Sequence, residues 1–200
     1  HFLYSFEYFW PNDYNGMITT TFSEPRYRRF HAGVDVRTYG EIGSNIYAVQ
    51  SGYVSRINIK PNNYGKAIYI RLDDGNTVLY AHLNNFKAEI EMLVSKLQKK
   101  YNSSFFDHYL SNDEKIQVSA GEIIGYSGDT GSLSGPHLHF EIRNNHGEPI
   151  NPIKDHFKIE DLLEPIAKSI SFIPLKSNSW VNGIQDYVTY DLIKINKSKY

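Results

Sequence analysis

The sequence contains no cysteine, which excludes a disulfide scaffold and any thiolate metal site but leaves the compartment open. It also lacks an apolar run of the about 20 residues that a membrane-crossing helix needs, so no membrane span is expected in this chain. Charge of one sign is missing too. With 21 Lys and Arg against 22 Asp and Glu, the net charge is −1, which gives no reason to expect nucleic acid or a membrane surface as partner. The first residue is His1, with neither Met nor a leader before it, so the chain reads as a mature or trimmed form. No repeat stands out. Aromatic residues, in contrast, are plentiful: 16 Tyr and 11 Phe in 200 residues, as expected of a strand-rich chain with solvent-facing tyrosines. The length allows one substantial domain, or one domain with a smaller appendage.

The most informative stretch is Gly135-Pro136-His137-Leu138-His139-Phe140-Glu141-Ile142-Arg143. As a strand it alternates: Leu138, Phe140 and Ile142 face one way, and His137, His139, Glu141 and Arg143 the other. Its two imidazoles then sit about 6.6 Å apart along the strand, close enough to serve one small site without both binding the same ion. A solvent-facing His-x-His pair is common, so company elsewhere in the chain decides its meaning. His31-Ala32-Gly33-Val34-Asp35-Val36 alternates in the same way. It puts Ala32, Val34 and Val36 toward a core and His31, Gly33 and Asp35 on the other face. Gly33, lacking a side chain, lets something approach the backbone between the two polar groups.

Residues 1–15 read as an aromatic N-terminal segment, Phe2 to Trp10, with a turn at Pro11 to Asp13. Thr19 to Phe22 reads as a short strand, followed by a basic loop through Arg28 and Arg29. Strands are expected at Ile46 to Gln50, Gly52 to Ile59, Ala67 to Leu72 and Thr77 to Leu83, with a strong hairpin signal at Asp73-Asp74-Gly75-Asn76. Period-two alternation places Val78, Tyr80 and His82 on one face. A helix then interrupts: Phe86, Ile90, Leu93, Val94, Leu97 and Tyr101 form one apolar stripe, with Glu89 and Glu91 at its start and Lys96, Lys99 and Lys100 at its end, as the helix dipole favours. A second helical turn is expected over Ser104 to Leu110, holding a packed or solvated His108. Strands resume at Lys115 to Val118 and Ala120 to Tyr126. Ser127 to Gly135 is a Gly- and hydroxyl-rich loop with no Lys-Ser/Thr and no helix after it, so it reads as a flexible wall beside a groove rather than a phosphate cradle. Residues 153–168 read as a connection with a short helical turn, and Ser169 to Leu175 and Tyr187 to Ile195 as strands. Residues 153–200 are a C-terminal extension or the start of a truncated β-domain, too short to hold a large core.

Three strands thus present His or His/Asp on a polar face: His31 and Asp35, His82, and His137 and His139. Two imidazoles and one carboxylate suit zinc, and three protein ligands leave a fourth position for water, as in catalytic sites. The motifs His31-Ala-Gly-Val-Asp35, Tyr80-Ala-His82-Leu83, Gly125-Tyr-Ser-Gly-Asp-Thr-Gly131 and Gly135-Pro-His137-Leu-His139-Phe-Glu141, in this order, resemble the lysostaphin-type zinc metallopeptidases, which are peptidoglycan endopeptidases. The resemblance covers residues 16–152. It implies a mainly β fold, an antiparallel β-sheet domain (the duplicated hybrid motif) with the metal at the floor of a narrow groove. The stretch at about 84–114 departs from the minimal domain and reads as a helical insertion. The resemblance further implies one zinc ion held by His31, Asp35 and His139, with His82 and His137 as unligated catalytic histidines. It implies hydrolysis of peptide bonds in peptidoglycan cross-links or stem peptides, by an extracytoplasmic bacterial protein expected to be a monomer. Two residues keep alternative readings. Tyr80 is either an oxyanion donor or a packing residue. Glu141 either orients a ligand or forms a surface salt bridge with Arg143.

Three rival readings remain to be weighed. A non-catalytic relative would bind cell wall or activate another hydrolase, but such proteins typically lose ligand positions, and all five site positions are present here. A two-His-one-carboxylate iron oxygenase is disfavoured by the His-x-x-x-Asp spacing and the two extra histidines. A structural or carbohydrate-binding β-module leaves three converging polar strands unexplained.

Overall fold

The computed structural model describes residues 8–26, 28–132, 135–157, 159 and 166–192. In chain order the strands begin with β1 (Ile18–Thr20), β2 (Pro25–Arg26), β3 (Arg29–Phe30), β4 (Val34–Arg37), β5 (Asn45–Tyr47), β6 (Gly52–Ile59), β7 (Lys66–Leu72), β8 (Thr77–Leu83) and β9 (Asn85–Phe86). Helix α1 (Ala88–Tyr101) follows, then β10 (Phe106–Tyr109), β11 (Gln117–Val118), β12 (Ile123–Tyr126), β13 (His137–Arg143), β14 (Pro149–Ile150), α2 (Pro152–His156), β15 (Ser169–Phe172) and β16 (Val188–Asp191). The fold is mainly β. The expected segment Phe2 to Trp10 lies partly outside the described residues, as do Leu133 and Ser134 of the Gly-rich loop, parts of the 153–168 connection and the end of the last expected strand.

The chain divides into two compact units, one of residues 1–22 and 32–159, the other of 23–31 and 160–200. In the first, a nine-stranded antiparallel sheet runs β1-β4-β13-β8-β7-β6-β10, with β11 and β14 joined at β6 and β13. One of its faces carries Val34, Val36, Ile68, Ile70, Val78, Tyr80, Leu138, Phe140 and Ile142 into a continuous core. A second sheet, β5-β12-β9, closes that core with Ile46, Ile124 and Phe86. The α1 stripe adds Ile90, Val94 and Leu97, each fully or nearly fully buried and each worth about 2 kcal/mol of burial. Tyr8 and Trp10 enter the same core, where both rings meet Phe157 edge to face. The opposite face of the large sheet has only a small apolar cluster of Ala67, Tyr69, Leu79 and Ala81, with Tyr64 packed against it. That face is left for polar chemistry.

Two elements differ from the sequence expectation. Residues 106–109 form a strand rather than a helical turn, because Phe106 and His108 turn inward while Asp107 and Tyr109 pair outward across β6. Asp107 meets Arg56 in a bidentate ion pair of 2.7 and 2.6 Å, and Arg56 also lies over the Tyr109 ring. The 84–114 stretch is therefore a helix plus an added sheet-edge strand. The second change is a bulge in β8. Lys66 faces Leu83 and Ile68 faces Tyr80, so Ala81 and His82 together oppose one residue of β7.

The second unit contains two two-stranded antiparallel sheets, β2-β3 and β15-β16. In the latter, Ile170 faces Tyr190 and Phe172 faces Val188.

Candidate metal centre and its histidines

Two neighbouring strands supply the centre. β4 and β13 run antiparallel with Asp35 directly opposite His139, and β8 places Ala81 on the other side of His139. Directly paired residues share a face, so Asp35, His139 and Glu141 all emerge on the side away from the main core. Gly33 is what lets the strands approach. A Cβ there would lie 2.2 Å from the Phe140 carbonyl oxygen and 2.8 Å from the Glu141 side chain, so β13 itself is what comes close to this backbone.

Asp35 Oδ1 and His139 Nδ1 are 2.9 Å apart, and His137 Nε2 lies 3.6 Å from the same oxygen. His31, the residue preceding Ala32, is buried as well. Ligand atoms of His31, Asp35 and His139 all lie within 4.8 Å of one another. The donor set is two imidazole nitrogens and one carboxylate oxygen, which fits zinc and leaves coordination positions open. The other ring nitrogen of His139 supports that fit: Nε2 contacts Glu141 Oε1 at 2.9 Å, the carboxylate–histidine pairing typical of metal-ligating imidazoles. Glu141 is fully buried, and it also takes two Arg143 bonds of 2.8 and 2.6 Å on Oε2. Glu141 thus meets both His139 and Arg143, and the Arg143 pair is formed on a buried carboxylate rather than at the surface.

His82 joins the site through the bulge. Its φ of +62° is left-handed, a region that costs a non-glycine residue about 1–3 kcal/mol and that recurs at functional sites. The turn carries its ring to within 4.8 Å of the His137 ring and 6.0 Å of the His139 ring, centroid to centroid. Because a carbonyl only accepts, His82 Nδ1–H donates to the Thr130 carbonyl (2.8 Å) and His137 Nδ1–H to the Gly135 carbonyl (2.9 Å). Both rings therefore keep Nε2 as the acceptor. Thr130 fixes its own loop: its hydroxyl donates to the Leu83 carbonyl and accepts from the Lys66 amide, at 2.8 and 2.9 Å. At Thr130 the loop is thus tied to both β7 and β8.

Burial pushes the His82 pKa down to about 4, its bond to Thr130 opposing and the neighbouring His137 and His139 reinforcing the fall. Burial also disfavours charge on His139, but its bonds to Asp35 and Glu141 outweigh that and raise its pKa. For Glu141, burial alone favours the neutral acid, yet His139, Tyr64 and Arg143 hold its pKa below the usual carboxylate range.

Tyr80 requires a correction. It is fully buried in the main core against Phe140, and its hydroxyl accepts the Val49 amide at 2.9 Å. The bulge separates it from His82, so simple alternation placed them on one face wrongly, and the burial of Tyr80 agrees with its packing reading. The residue that sequence reasoning missed is Tyr64. Its hydroxyl donates to Glu141 Oε1 at 2.5 Å, and its ring stacks on His139 with centroids 5.4 Å apart. It sits in a turn, where no periodicity marks it; only its place before Gly65 hinted at a fixed loop.

Comparison with known proteins fits this geometry. The sequence pattern of Peptidase family M23 matches residues 29–99 and 93–152. Over 125 residues the chain is 33% identical to the DD-carboxypeptidase/endopeptidase Mpg of Neisseria meningitidis, covering 62% of this chain and 22% of that protein. It is 32% identical over 143 residues to the peptidoglycan DD-endopeptidase ShyA of Vibrio cholerae, covering 70% of this chain and 24% of that protein. The chain thus spans less than a quarter of the length of either relative. In fold it resembles a zinc-containing peptidase of Vibrio cholerae, with a TM-score of 0.55, 24% identity, and coverage of 74% of this chain and 40% of that one. With most of its length matched by the family pattern, the chain belongs to Peptidase family M23.

Proposed function

We propose that this chain is a zinc-dependent endopeptidase that hydrolyses peptide bonds in the cross-links or stem peptides of bacterial peptidoglycan. The observation that carries this reading is the convergence of His31, Asp35 and His139 within 4.8 Å, beside the paired rings of His82 and His137. The names of Mpg and ShyA support the substrate class. In this reading residues 16–152 are the peptidase domain, about 84–114 an insertion in it, 1–15 an N-terminal segment and 153–200 a C-terminal extension. The protein acts as a monomer outside the cytoplasmic membrane, where its substrate lies. No described helix is long and apolar enough to cross a membrane.

His31, Asp35 and His139 hold the ion. When bound, zinc lowers the pKa of water toward about 7 and polarises a carbonyl. The remaining work belongs to His82 and His137. Each ring is fixed by a backbone carbonyl at Nδ1, so Nε2 is free to receive a proton from the attacking water and to return it to the leaving amine. A ring protonated at Nε2 also donates a hydrogen bond to the developing oxyanion. Burial keeps His82 neutral at physiological pH, ready to accept.

The test is digestion of purified sacculi alongside casein, with and without a chelator, and mass analysis of the soluble products. Chelator-sensitive release of muropeptides cut in their peptide part is the expected result. Glycan-strand products, binding without cleavage, or casein cleavage without wall cleavage would overturn the reading.

A further inference from the structure

The turn between β6 and β7 makes three contacts with the histidine site through one residue. The Tyr64 hydroxyl donates to Glu141 Oε1 at 2.5 Å, the atom that also pairs with His139 Nε2. The Tyr64 ring stacks on the His139 ring at 5.4 Å and an interplanar angle of 30°. The Tyr64 carbonyl accepts the backbone N–H of His82 at 2.9 Å, at the left-handed residue of the bulge. The turn is itself fixed. A Cβ on Gly65 would lie 2.3 Å from the Thr130 carbonyl carbon, and one on Gly131 would lie 2.4 Å from the Asn63 carbonyl oxygen. The turn and the Gly-rich loop thus interlock with no room for a side chain between them.

We infer that Tyr64 is a positioning residue, which with Arg143 clamps the Glu141 carboxylate and so fixes which nitrogen of His139 faces Asp35. A carboxylate has two oxygens and can rotate. Here Arg143 takes Oε2 through two bonds, leaving Oε1 to Tyr64 and His139. With Glu141 so held, His139 turns Nε2 to Glu141 and Nδ1 to Asp35 Oδ1, each at 2.9 Å, so Nδ1 is the nitrogen on the side of the other proposed zinc ligands. Loss of the tyrosine hydroxyl frees Oε1 to turn and lets the ring sample the flipped orientation, with Nε2 toward Asp35. The stacked phenol also covers one face of His139, which restricts ring rotation. This inference rests on the proposed role of His139 as a zinc ligand.

Zinc affinity of the full chain, measured by competition with a chromophoric chelator, tests the inference together with the ¹⁵N ring shifts of His139 in the zinc-loaded protein, which tell the nitrogen that carries the hydrogen from the one that meets the ion. Outer-shell partners of metal ligands typically contribute 10–100-fold in affinity, so Tyr64→Phe is expected to weaken zinc by about 10-fold and Glu141→Gln by more. The ring shifts should move from a single Nε2–H form to a mixture, and Arg143→Lys, which keeps the charge but loses the fork, should show the same shift in part. Affinity and tautomer both unchanged in Tyr64→Phe and Arg143→Lys would overturn the inference. So would a drop in melting temperature with the tautomer intact, which marks a purely structural role. His139→Ala separates the two levels: if it keeps full zinc, the ligand assignment itself fails. If it loses zinc while the Tyr64 and Arg143 variants bind normally, only the positioning role fails.

Discussion

At the scale of single residues, the site depends on which polar groups meet and which nitrogen each histidine presents. His31, Asp35 and His139 bring atoms that could hold a metal within 4.8 Å of one another, whereas His82 and His137 commit Nδ1 to backbone carbonyls, which leaves Nε2 for the proposed proton transfer. The two groups should therefore separate on mutation. His31→Ala and Asp35→Ala are expected to lose zinc by metal analysis. His82→Ala and His137→Ala are expected to retain it while activity falls by about 10²–10⁴-fold, the usual effect of a positioned proton-transfer group. Stoichiometric zinc in Asp35→Ala, or its loss in His82→Ala alone, would exchange the roles. Most of this placement was legible in the sequence, since alternation alone put His137, His139, Glu141 and Arg143 on one face, where the structure has Glu141 between His139 and Arg143, and His137 beside Asp35. The strand face of Tyr80 and the place of Tyr64 were not. A one-residue bulge reverses every face beyond it, and bulges leave no mark in a period-two pattern. Tyr64 reaches Glu141 across a sequence distance that only the sheet closes.

At the scale of elements, the stretch after β8 shows what local pattern can and cannot tell. The α1 stripe was readable because Ile90, Val94 and Leu97 repeat at helical spacing, and all three are buried. Strand β10 was not, because Phe106-Asp107-His108-Tyr109 gains its strand character from partners on β6. A partly buried network then ties this region together. The Tyr101 hydroxyl meets His108 Nδ1 at 2.8 Å, and His108 Nε2 meets Glu114 Oε2 at 2.9 Å. Glu114 also accepts the Ser111 amide, and this bond, with His108 second, depresses its pKa to about 2. The sign follows: a group with a depressed folded pKa contributes stability above its unfolded value near 4.5 and loses it as pH falls through about 2. Hydrogen exchange at Ser111 and across residues 106–109 should accelerate, relative to the rest of the sheet, between those two pH values. In Glu114→Gln that pH step should vanish and the faster exchange should already be present at neutral pH. A wild-type profile in the variant would remove Glu114 from the clamp.

At the scale of the whole molecule, one sheet does two separate jobs with its two faces. The face toward β5-β12-β9 and α1 buries the continuous apolar core, and the opposite face carries Asp35, His139 and Glu141 over the small Ala67-Tyr69-Leu79-Ala81 cluster. The fold should therefore survive loss of the ion, while gaining stability from its presence. An ion that binds only the folded state at a free concentration 100 times its Kd adds about 2.7 kcal/mol. For a domain of this size that corresponds to roughly 5–10 °C in melting temperature. Differential scanning calorimetry of zinc-loaded and chelator-treated protein should show that rise, with far-UV circular dichroism the same in both. Asp35→Ala, whose core face is untouched, should melt near the chelated protein and gain little on adding zinc. An unfolded chelated protein would mean that the ion is structural and that the two faces are not independent. An equal zinc-induced rise in Asp35→Ala would place the ion somewhere other than between β4 and β13.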